Sequence, residues 1–441
     1  MAFRSRTTLV VLAIVAALLI VATFLARALC NLDRHRPRVV SDLRERIGKQ
    51  VEIGRLALTL FPLTIHISDL EVKNPPPFPA DDLVKVSQID AVLDPGALLH
   101  GNVVIKSLSL DNPVIHLSWD PDGAWNFENS HAAATGKGFP QGVIARVEIK
   151  KGQLVASNLL PSDAAGPVFF EAHDVSGEFE RVDIAAIINP ASTSMGGQGS
   201  VKADRLSFGA VDASNLSFKL QAWARQAFLA DVRAEVCGGR AAGMLYFDLS
   251  RQKPFFRTSA RFTAVSIAEV LEPFENGRGK MTGRMEGDIT LAGVVQHSRR
   301  PLAGIYGEAH LTIRNGQLPS LKLNENLMKL VRFNDQGPAK ENPSSFKFIS
   351  TDLELANLRI VSKGIDVDGY GVDIDGSGSV NVDGSDELNY QGKAQITTKQ
   401  GFFTNTFARL AGATLENGQL SFPFRVRGTI ESPVFSRGRA N

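Results

Sequence analysis

Beyond the first thirty residues, apolar and polar positions alternate with a period of two. Leu56, Leu58 and Leu60 begin the pattern. Leu63, Ile65 and Ile67 continue it, separated by Thr64, His66 and Ser68. The alternation slips by one position at Asp69 and resumes as Leu70 and Val72. The same period recurs in Ile115-Leu117-Trp119, Leu216-Phe218-Leu220, Leu245-Phe247-Leu249, Met281-Gly283-Met285, Leu353-Leu355 and Leu420-Phe422-Phe424-Val426. Strands with one apolar and one polar face predict an antiparallel sheet covered on one side. Slips such as the one at Asp69 predict bulges that bend it.

Turn dipeptides punctuate these runs. Asp122-Gly123, Asn276-Gly277, Asn315-Gly316, Asp375-Gly376, Asp383-Gly384 and Asn417-Gly418 predict hairpins, because two positive φ angles favour Asn or Asp followed by Gly. One phrase returns three times, as Ile149-Lys150-Lys151-Gly152-Gln153-Leu154, Ile313-Arg314-Asn315-Gly316-Gln317-Leu318 and Glu416-Asn417-Gly418-Gln419-Leu420. Its unequal intervals predict a reused strand-turn-strand unit without a solenoid period. Helical patterns are few: Val39–Ile47, Ser266–Leu271, Leu321–Phe333 and Phe402–Leu410, the last two suited to plugging or capping the end of a sheet. Asn74–Pro79 is too proline-dense for a central strand and predicts a loop.

The N-terminus has a different texture. Leu9 to Ala26 carries no charge over 18 residues, with Arg4 and Arg6 before it and Arg27 after it. About 20 helical residues cross the ~30 Å hydrocarbon core, so residues 9–29 predict one membrane span. The competing reading is a cleaved signal peptide ending near Ala26-Arg27-Ala28, although the run exceeds the usual apolar region of ~7–15 residues. Both readings export the rest of the chain. Arg27, Arg34, Arg36 and Arg38 outnumber Arg4 and Arg6, but long domains translocate largely regardless of local charge, so this count does not set the orientation. The resulting division is 1–30, a stub and anchor; 31–129, a first β module; 130–142, an Ala-, Gly- and Pro-rich linker; 143–299, a middle β region; and 300–441, a last one.

Composition narrows the chemistry. With 48 Lys and Arg against 46 Asp and Glu the net charge is +2, which is no footprint for nucleic acid. Two cysteines, Cys30 and Cys237, make neither a disulfide framework nor a four-thiolate zinc site, and read as unpaired thiols. Eight scattered histidines include no metal-binding i,i+4 pair. Gly277-Arg278-Gly279-Lys280-Met281-Thr282 lacks the upstream glycine of a phosphate loop, since that position is Phe274. Asp373-x-Asp375-x-Ser377-Gly378-Ser379-x-Asn381 imitates a calcium loop but ends on Gly384 where a bidentate Glu belongs. The paired carboxylates Asp81-Asp82 and Asp373/Asp375 read as solvated, and Trp119 and Trp125 as packing around a hairpin end. Neither a cofactor nor an enzymatic activity is expected.

A longer series is recognisable. Arg46-Ile47-Gly48-Lys49-Gln50-Val51-Glu52-Ile53-Gly54 is followed by Leu63–Leu70, by Asn74 with its Pro-Phe loop, and by Leu93-Asp94-Pro95-Gly96-Ala97-Leu98-Leu99. Ile105–Pro113 and Asp122-Gly123-Ala124-Trp125-Asn126-Phe127 close it. The series resembles the opening module of the AsmA family of bacterial envelope proteins. Cys237–Gly243, Gly307–Leu318 and Gly428–Phe435 resemble the family's later regions more loosely. The resemblance implies a single-pass inner-membrane protein whose large domain faces the periplasm. It also implies kinship with bridge-like lipid-transfer proteins, in which a curved sheet forms a groove with an apolar floor.

The expected fold is therefore mainly β: an N-terminal transmembrane helix, then a long curved antiparallel sheet, as a groove or half-barrel, with a few short capping helices. About 20–25 strands at ~4.8 Å each would make a groove on the order of 100 Å long, shorter than the family's long bridging members. The expected partners are membrane phospholipid and, as the rival reading, another envelope protein bound by a scaffold with a closed core. By alternation alone, the candidate floor residues are Ile65, Ile67, Ile115, Leu117, Leu216, Phe218, Leu220, Leu353, Leu355, Phe422 and Phe424.

Overall fold

A computed structural model describes residues 32–79, 82–100, 102–120, 125–126, 142–159, 165–183, 186, 192–208, 211–248, 255–272, 277–294, 303–319, 323–330, 345–397, 413–416 and 419–438. Twenty strands dominate them, as the alternation predicts. Among these residues no helix is long and apolar enough to cross a membrane. The expected span at 9–29, the helix at Phe402–Leu410 and the turns Asp122-Gly123 and Asn417-Gly418 lie outside the described residues, as do Asp81, Asn276 and all of the linker but Gly142. The chain divides into two compact units, Met1–Asp204 with Gln221–Ala224, and Arg205–Leu220 with Arg225–Asn441.

Unit 1 starts with a 3-10 turn at Leu32–His35 and helix α1 (Arg36–Ile47), which Gly48 ends in the left-handed conformation. Strands β1 (Val51–Leu60), β2 (Leu63–Lys73), β3 (Asp82–Leu93) and β4 (Ile105–Trp119) then form a meander. A one-turn helix, α2 (Pro95–Leu99), interrupts the β3–β4 connection, with Asp94 accepting from the backbone N–H groups of Gly96 and Ala97. β5 (Val143–Leu159), β6 (Ala165–Asp183) and the first eight residues of β7 (Gly197–Phe208) complete the unit.

The expectation of a wholly antiparallel sheet needs one correction: β4 and β5 are parallel. Parallel neighbours require the chain to return to the starting end, which takes a dozen or more residues. The 23 residues from 120 to 142 separate the two strands, more than that minimum.

A second correction concerns Asp69. It has a φ of 53°, yet the β1–β2 and β2–β3 ladders pass it without a local register shift. Both partner strands slip together, with Gly54 and Arg55 both exposed in β1 and Ser87 and Gln88 both exposed in β3. Asn112 (φ 50°) does the same work in β4, whereas at Lys151 (φ 50°) and Asp174 (φ 52°) the β5–β6 ladder shifts register, as the expected bulges would. A single left-handed residue reverses the pleat, and Asn and Asp tolerate that conformation better than most. The apolar side of every strand therefore stays on one face above and below this line. Gly54 faces this residue closely: a Cβ there would lie 3.0 Å from the Cβ of Asp69, so one of the two would have to give by a few tenths of an ångström.

The same device overturns the strand-turn-strand reading of the recurrent phrase. Ile149–Leu154 lies inside β5, and Ile313–Gln317 lies inside β13 (Ile305–Gln317). Lys151 and Asn315, at matching places in the two copies, both have a φ of 50°. Two of the three copies thus lie in mid-strand, each at a register shift with one neighbouring strand; at the third, Glu416 pairs with Gln419 across the dipeptide. Asp375-Gly376 is also no hairpin. It sits within β16 (Val372–Asn381), between Asp366-Ile365 on one side and Lys393-Gly392 on the other. Asp383-Gly384 does connect two strands, β16 and β17 (Glu387–Thr397).

Unit 2 runs as β8 (Val211–Ala222), β9 (Gln226–Val236), β10 (Gly239–Asp248), β11 (Phe255–Ser266), β12 (Thr282–Val294), β13, β14 (Ser345–Ala356), β15 (Arg359–Gly369), β16 and β17. β18 (Thr414–Glu416), β19 (Gln419–Thr429) and β20 (Pro433–Arg437) follow. From β9 to β17 each strand pairs antiparallel with the next, then β17 pairs with β19 and β19 with β20. Helix α3 (Ile267–Leu271), N-capped by Ser266, and helix α4 (Leu323–Leu330) fall where the sequence places helices.

Candidate lipid-contacting face

Strand register shows what alternation cannot, namely which apolar positions line up. In unit 1, Leu58, Ile65, Ala91, Leu108, Val147 and Phe179 form one row across β1 to β6. Leu56, Ile67, Ile89, Leu110, Ile149 and Gly177 form the next, and Val51, Val72, Val84, Ile115, Leu154 and Ala172 a third. The opposite face carries rows such as Ala57, His66, Asp90, Ser109, Glu148 and Glu178. Six strands thus present an apolar face on one side and a charged face on the other.

Ile65, Ile67, Ile115 and Leu117 lie on this apolar face, and all four are half-buried. Val51, Val72 and Leu83 form a small buried cluster, joined by Leu43 of α1.

In unit 2 the apolar face changes character along the strands. Val265, Met285, Ile313, Ile349, Val367, Ile374, Ala394 and Phe422 form one row across eight strands, and every member is buried. Leu327 of α4 is fully buried among them, with Phe346, Leu420 and Phe424. Arg437 donates from Nε and Nη2 to the carbonyl of Leu330 at 3.0 and 2.8 Å, holding the C-terminal end of α4 to β20. Helix α4 is thus a plug for this part of the sheet, as expected of it. Phe346 packs against its cross-strand partner Gly316, where an added Cβ would come within 2.4 Å of its ring.

Six residues further along β13, about 20 Å away, a second row reads Leu245, Thr258, Leu291, Gly307, Leu355, Ile360, Val380 and Leu388. Each of its members is half-buried. Leu355 belongs to this row and Leu353 to the one beside it. Leu216, Phe218 and Leu220 are half-buried on β8, alternating with Ser217 and the exposed Lys219. β8 lies beside β9, because Lys219 pairs with Asp231 at 2.7 Å and Asn215 donates to Glu235 at 3.0 Å. Of the eleven floor candidates, nine are therefore half-buried, and Phe422 and Phe424 are enclosed in the plugged cluster.

The polar faces hold ordinary surface chemistry. Lys73 and Lys85 each pair with Glu71 at 2.9 Å, and Lys73 also reaches Asp82 at 2.6 Å. Hydrogen bonds from Lys85 and Lys73 hold the Glu71 carboxyl down at about 2. His66 bridges Thr59 Oγ1 (2.8 Å) and Asp90 Oδ1 (2.7 Å) on the sheet's polar face. Asp373 to Asn381 fall on a continuous strand, where alternate side chains stand ~6.8 Å apart and cannot wrap a cation. Among the described residues no group of three or more His, Cys, Asp or Glu could hold a metal. Cross-strand pairing sets Asp366 against Asp375 and Asp368 against Asp373; burial, then the neighbouring carboxylates, pushes the Asp366 and Asp373 carboxyls up. Cys237 is a free, half-buried thiol.

One feature escapes the pattern of alternation. Trp119 and Trp125 pack with ring centroids 5.1 Å apart, as expected of a hairpin end. The adjacent Asn126 is fully buried; its Nδ2 donates to Asn74 Oδ1 (2.9 Å) and to the His116 carbonyl (2.7 Å). Lys49 donates to the Asn126 carbonyl at 2.9 Å, and burial pushes the Lys49 ammonium down. Lys49, Asn74 and Asn126 come from three separate phrases of the AsmA-like series, and this contact explains their company.

Residues 2–137 match the model of the AsmA family. That segment, about a third of the chain, is similar to the AsmA family. The matched segment includes α1, β1 to β4 and the buried Asn126, that is, the part of unit 1 from which the apolar rows start. No curated protein matches the sequence.

Proposed function

We propose that this chain is a noncatalytic envelope protein, anchored in the bacterial inner membrane through residues 9–29 and facing the periplasm, which holds or transfers phospholipid. The reading rests on one observation above all: aligned apolar rows that strand pairing leaves half-buried. An apolar sheet face of this extent needs an acyl chain, a partner or further protein to cover it. The polar reverse face is suited to water. Supporting outer-membrane assembly is the role such a protein would serve.

Native mass spectrometry of the full chain, extracted from the envelope in mild detergent, tests the proposal. Wild-type protein should carry phospholipid at a defined stoichiometry. Phe218→Asp should lose it while far-UV circular dichroism keeps its β signature. A variant that retained lipid would remove Phe218 from the lipid-holding face. A lipid-free wild type would favour the alternative, a scaffold for another envelope protein, for which the dry cluster around Leu327 is the supporting observation.

A further inference from the structure

Eleven large apolar side chains stand out as exposed among the described residues, and six of them gather at one end of one sheet. Phe61 (93% exposed) is in the β1–β2 turn. Leu98, Leu99 (87%), Val103 (66%) and Val104 are in the β3–β4 connection, and Val143 opens β5. Register places them together. Leu60 pairs with Leu63, Thr64 with Val92 and Leu93 with Ile105; Ser107 lies beside Arg146, and Val143 pairs with Asp183. The end of β1, the start of β2, the end of β3 and the starts of β4 and β5 therefore form one edge of unit 1. With four strand spacings of ~4.8 Å it is about 19 Å wide.

The start of the described chain leads to this same edge. Helix α1 runs antiparallel along β1: Arg44 Nε donates to the carbonyl of Val51 at 3.0 Å, and Arg36 donates to that of Gly54. Further up, the N–H of Leu56 donates to Asp33 Oδ1 at 3.1 Å. Followed toward its N-terminus, the chain is travelling toward Leu60 and Phe61 when it reaches Leu32. Leu60 is four residues, about 14 Å, beyond Leu56. Ala26, the last residue of the uncharged run, is six residues before Leu32 and can lie no further than about 20 Å from it.

We infer that this edge is a membrane-seated tip: Phe61, Leu98, Leu99, Val103, Val104 and Val143 enter the interface of the bilayer that the N-terminal run crosses. The inference rests on the anchor reading of residues 9–29 but does not require lipid on the sheet face. The occupant is a lipid surface, because the short tether leaves the bilayer within reach of the edge and the exposed side chains are those that partition into it. Apolar loop residues seated at this depth gain by burial against acyl chains while the adjoining strand ends stay among headgroups. The edge would then set how far above the membrane the apolar rows begin.

The test uses the full chain with Cys30→Ser and Cys237→Ser. Single cysteines replace Leu99, Val103 or, at the opposite end of β1, the exposed Gln50, and each carries an environment-sensitive fluorophore. The protein is reconstituted in vesicles of phosphatidylethanolamine and phosphatidylglycerol. Labels at 99 and 103 should shift to the blue and be quenched several-fold more by nitroxide-bearing lipids than the label at 50. Vesicle-bound protein whose three labels are equally open to aqueous iodide would overturn the tip while leaving the anchor standing. Labels at 99 and 103 shielded from both quenchers would also overturn it, since a protein surface would then cover the edge. Protein that fails to float with the vesicles would overturn anchor and tip together.

Discussion

Two stretches of the same apolar face in unit 2 have opposite environments. The row through Ile313 is buried in every strand from β11 to β17 and in β19, whereas the row through Gly307 is half-buried throughout. Composition does not separate them, for both are built mainly of aliphatic residues. The difference is what lies above them. Leu327 of α4 is fully buried in one cluster with the first row, together with Phe346, Leu420 and Phe424. The second keeps the burial that pairing and neighbouring side chains provide and no more. A β-face of this kind is thus a core at one end and a surface at the other, without any change in strand pattern. Unit 1 is mixed: buried members of its rows, such as Leu56, Ile89, Ala91 and Val147, sit beside half-buried ones such as Ile65, Ile67 and Ile115.

The largest expected effect comes from opening the plug. Leu327→Ala should destabilise unit 2 by about 2–5 kcal/mol, the range for deleting a fully enclosed leucine. Leu355→Ala, in the half-buried row, should cost less than half as much. Urea unfolding with hydrogen exchange resolved by strand would read both. Equal costs would mean that the second row is as dry as the first and that the contrast is false.

An intermediate effect is expected at the line of pleat reversals in unit 1. Asn112 is exposed and left-handed, so its conformation matters more than its contacts. Asn112→Val should cost about 1–2 kcal/mol, while Asn112→Gly should stay within a few tenths. A valine variant as stable as wild type would show that the strand can slip and carry its apolar set to the other face.

The smallest effect belongs to the polar face. The Glu71 carboxyl is held at about 2 by Lys85 and Lys73, below its ordinary ~4.3. A depressed carboxyl contributes stability that is complete above the ordinary value and is lost as pH falls toward 2. The stability gap between wild type and Glu71→Gln should therefore be constant above about pH 5 and close between roughly 4.3 and 2. A gap unchanged across that window would remove the ion pairs from the account. Exposure of Lys85 and the half-exposure of Lys73 keep the whole effect small.

Alternation in single strands made much of this protein legible. The apolar side of β1, β2 and β4 follows from Leu56, Ile65, Ile67, Ile115 and Leu117 alone, because a strand's side chains alternate whatever it pairs with. The helical patterns at Val39–Ile47, Ser266–Leu271 and Leu321–Phe333 mark the places of α1, α3 and α4, and the AsmA-like phrases point to the family. The Asn315-Gly316 pair misled because a left-handed residue can sit in mid-strand as well as in a turn. Asp375-Gly376 misled because it has no left-handed residue and simply continues β16, paired on both sides. Asn126 gave no sign of burial, because its partners Asn74 and Lys49 are 52 and 77 residues distant.

The sequence by itself determined which side of each strand is apolar, since that depends only on neighbours along the chain. Only the tertiary structure decided which apolar positions share a row, that β4 and β5 run parallel, and that Phe422 is enclosed while Leu355 is half-exposed. Those outcomes depend on register and on where a distant helix lands. Both are set by contacts between residues far apart in sequence, and a local period carries no record of them.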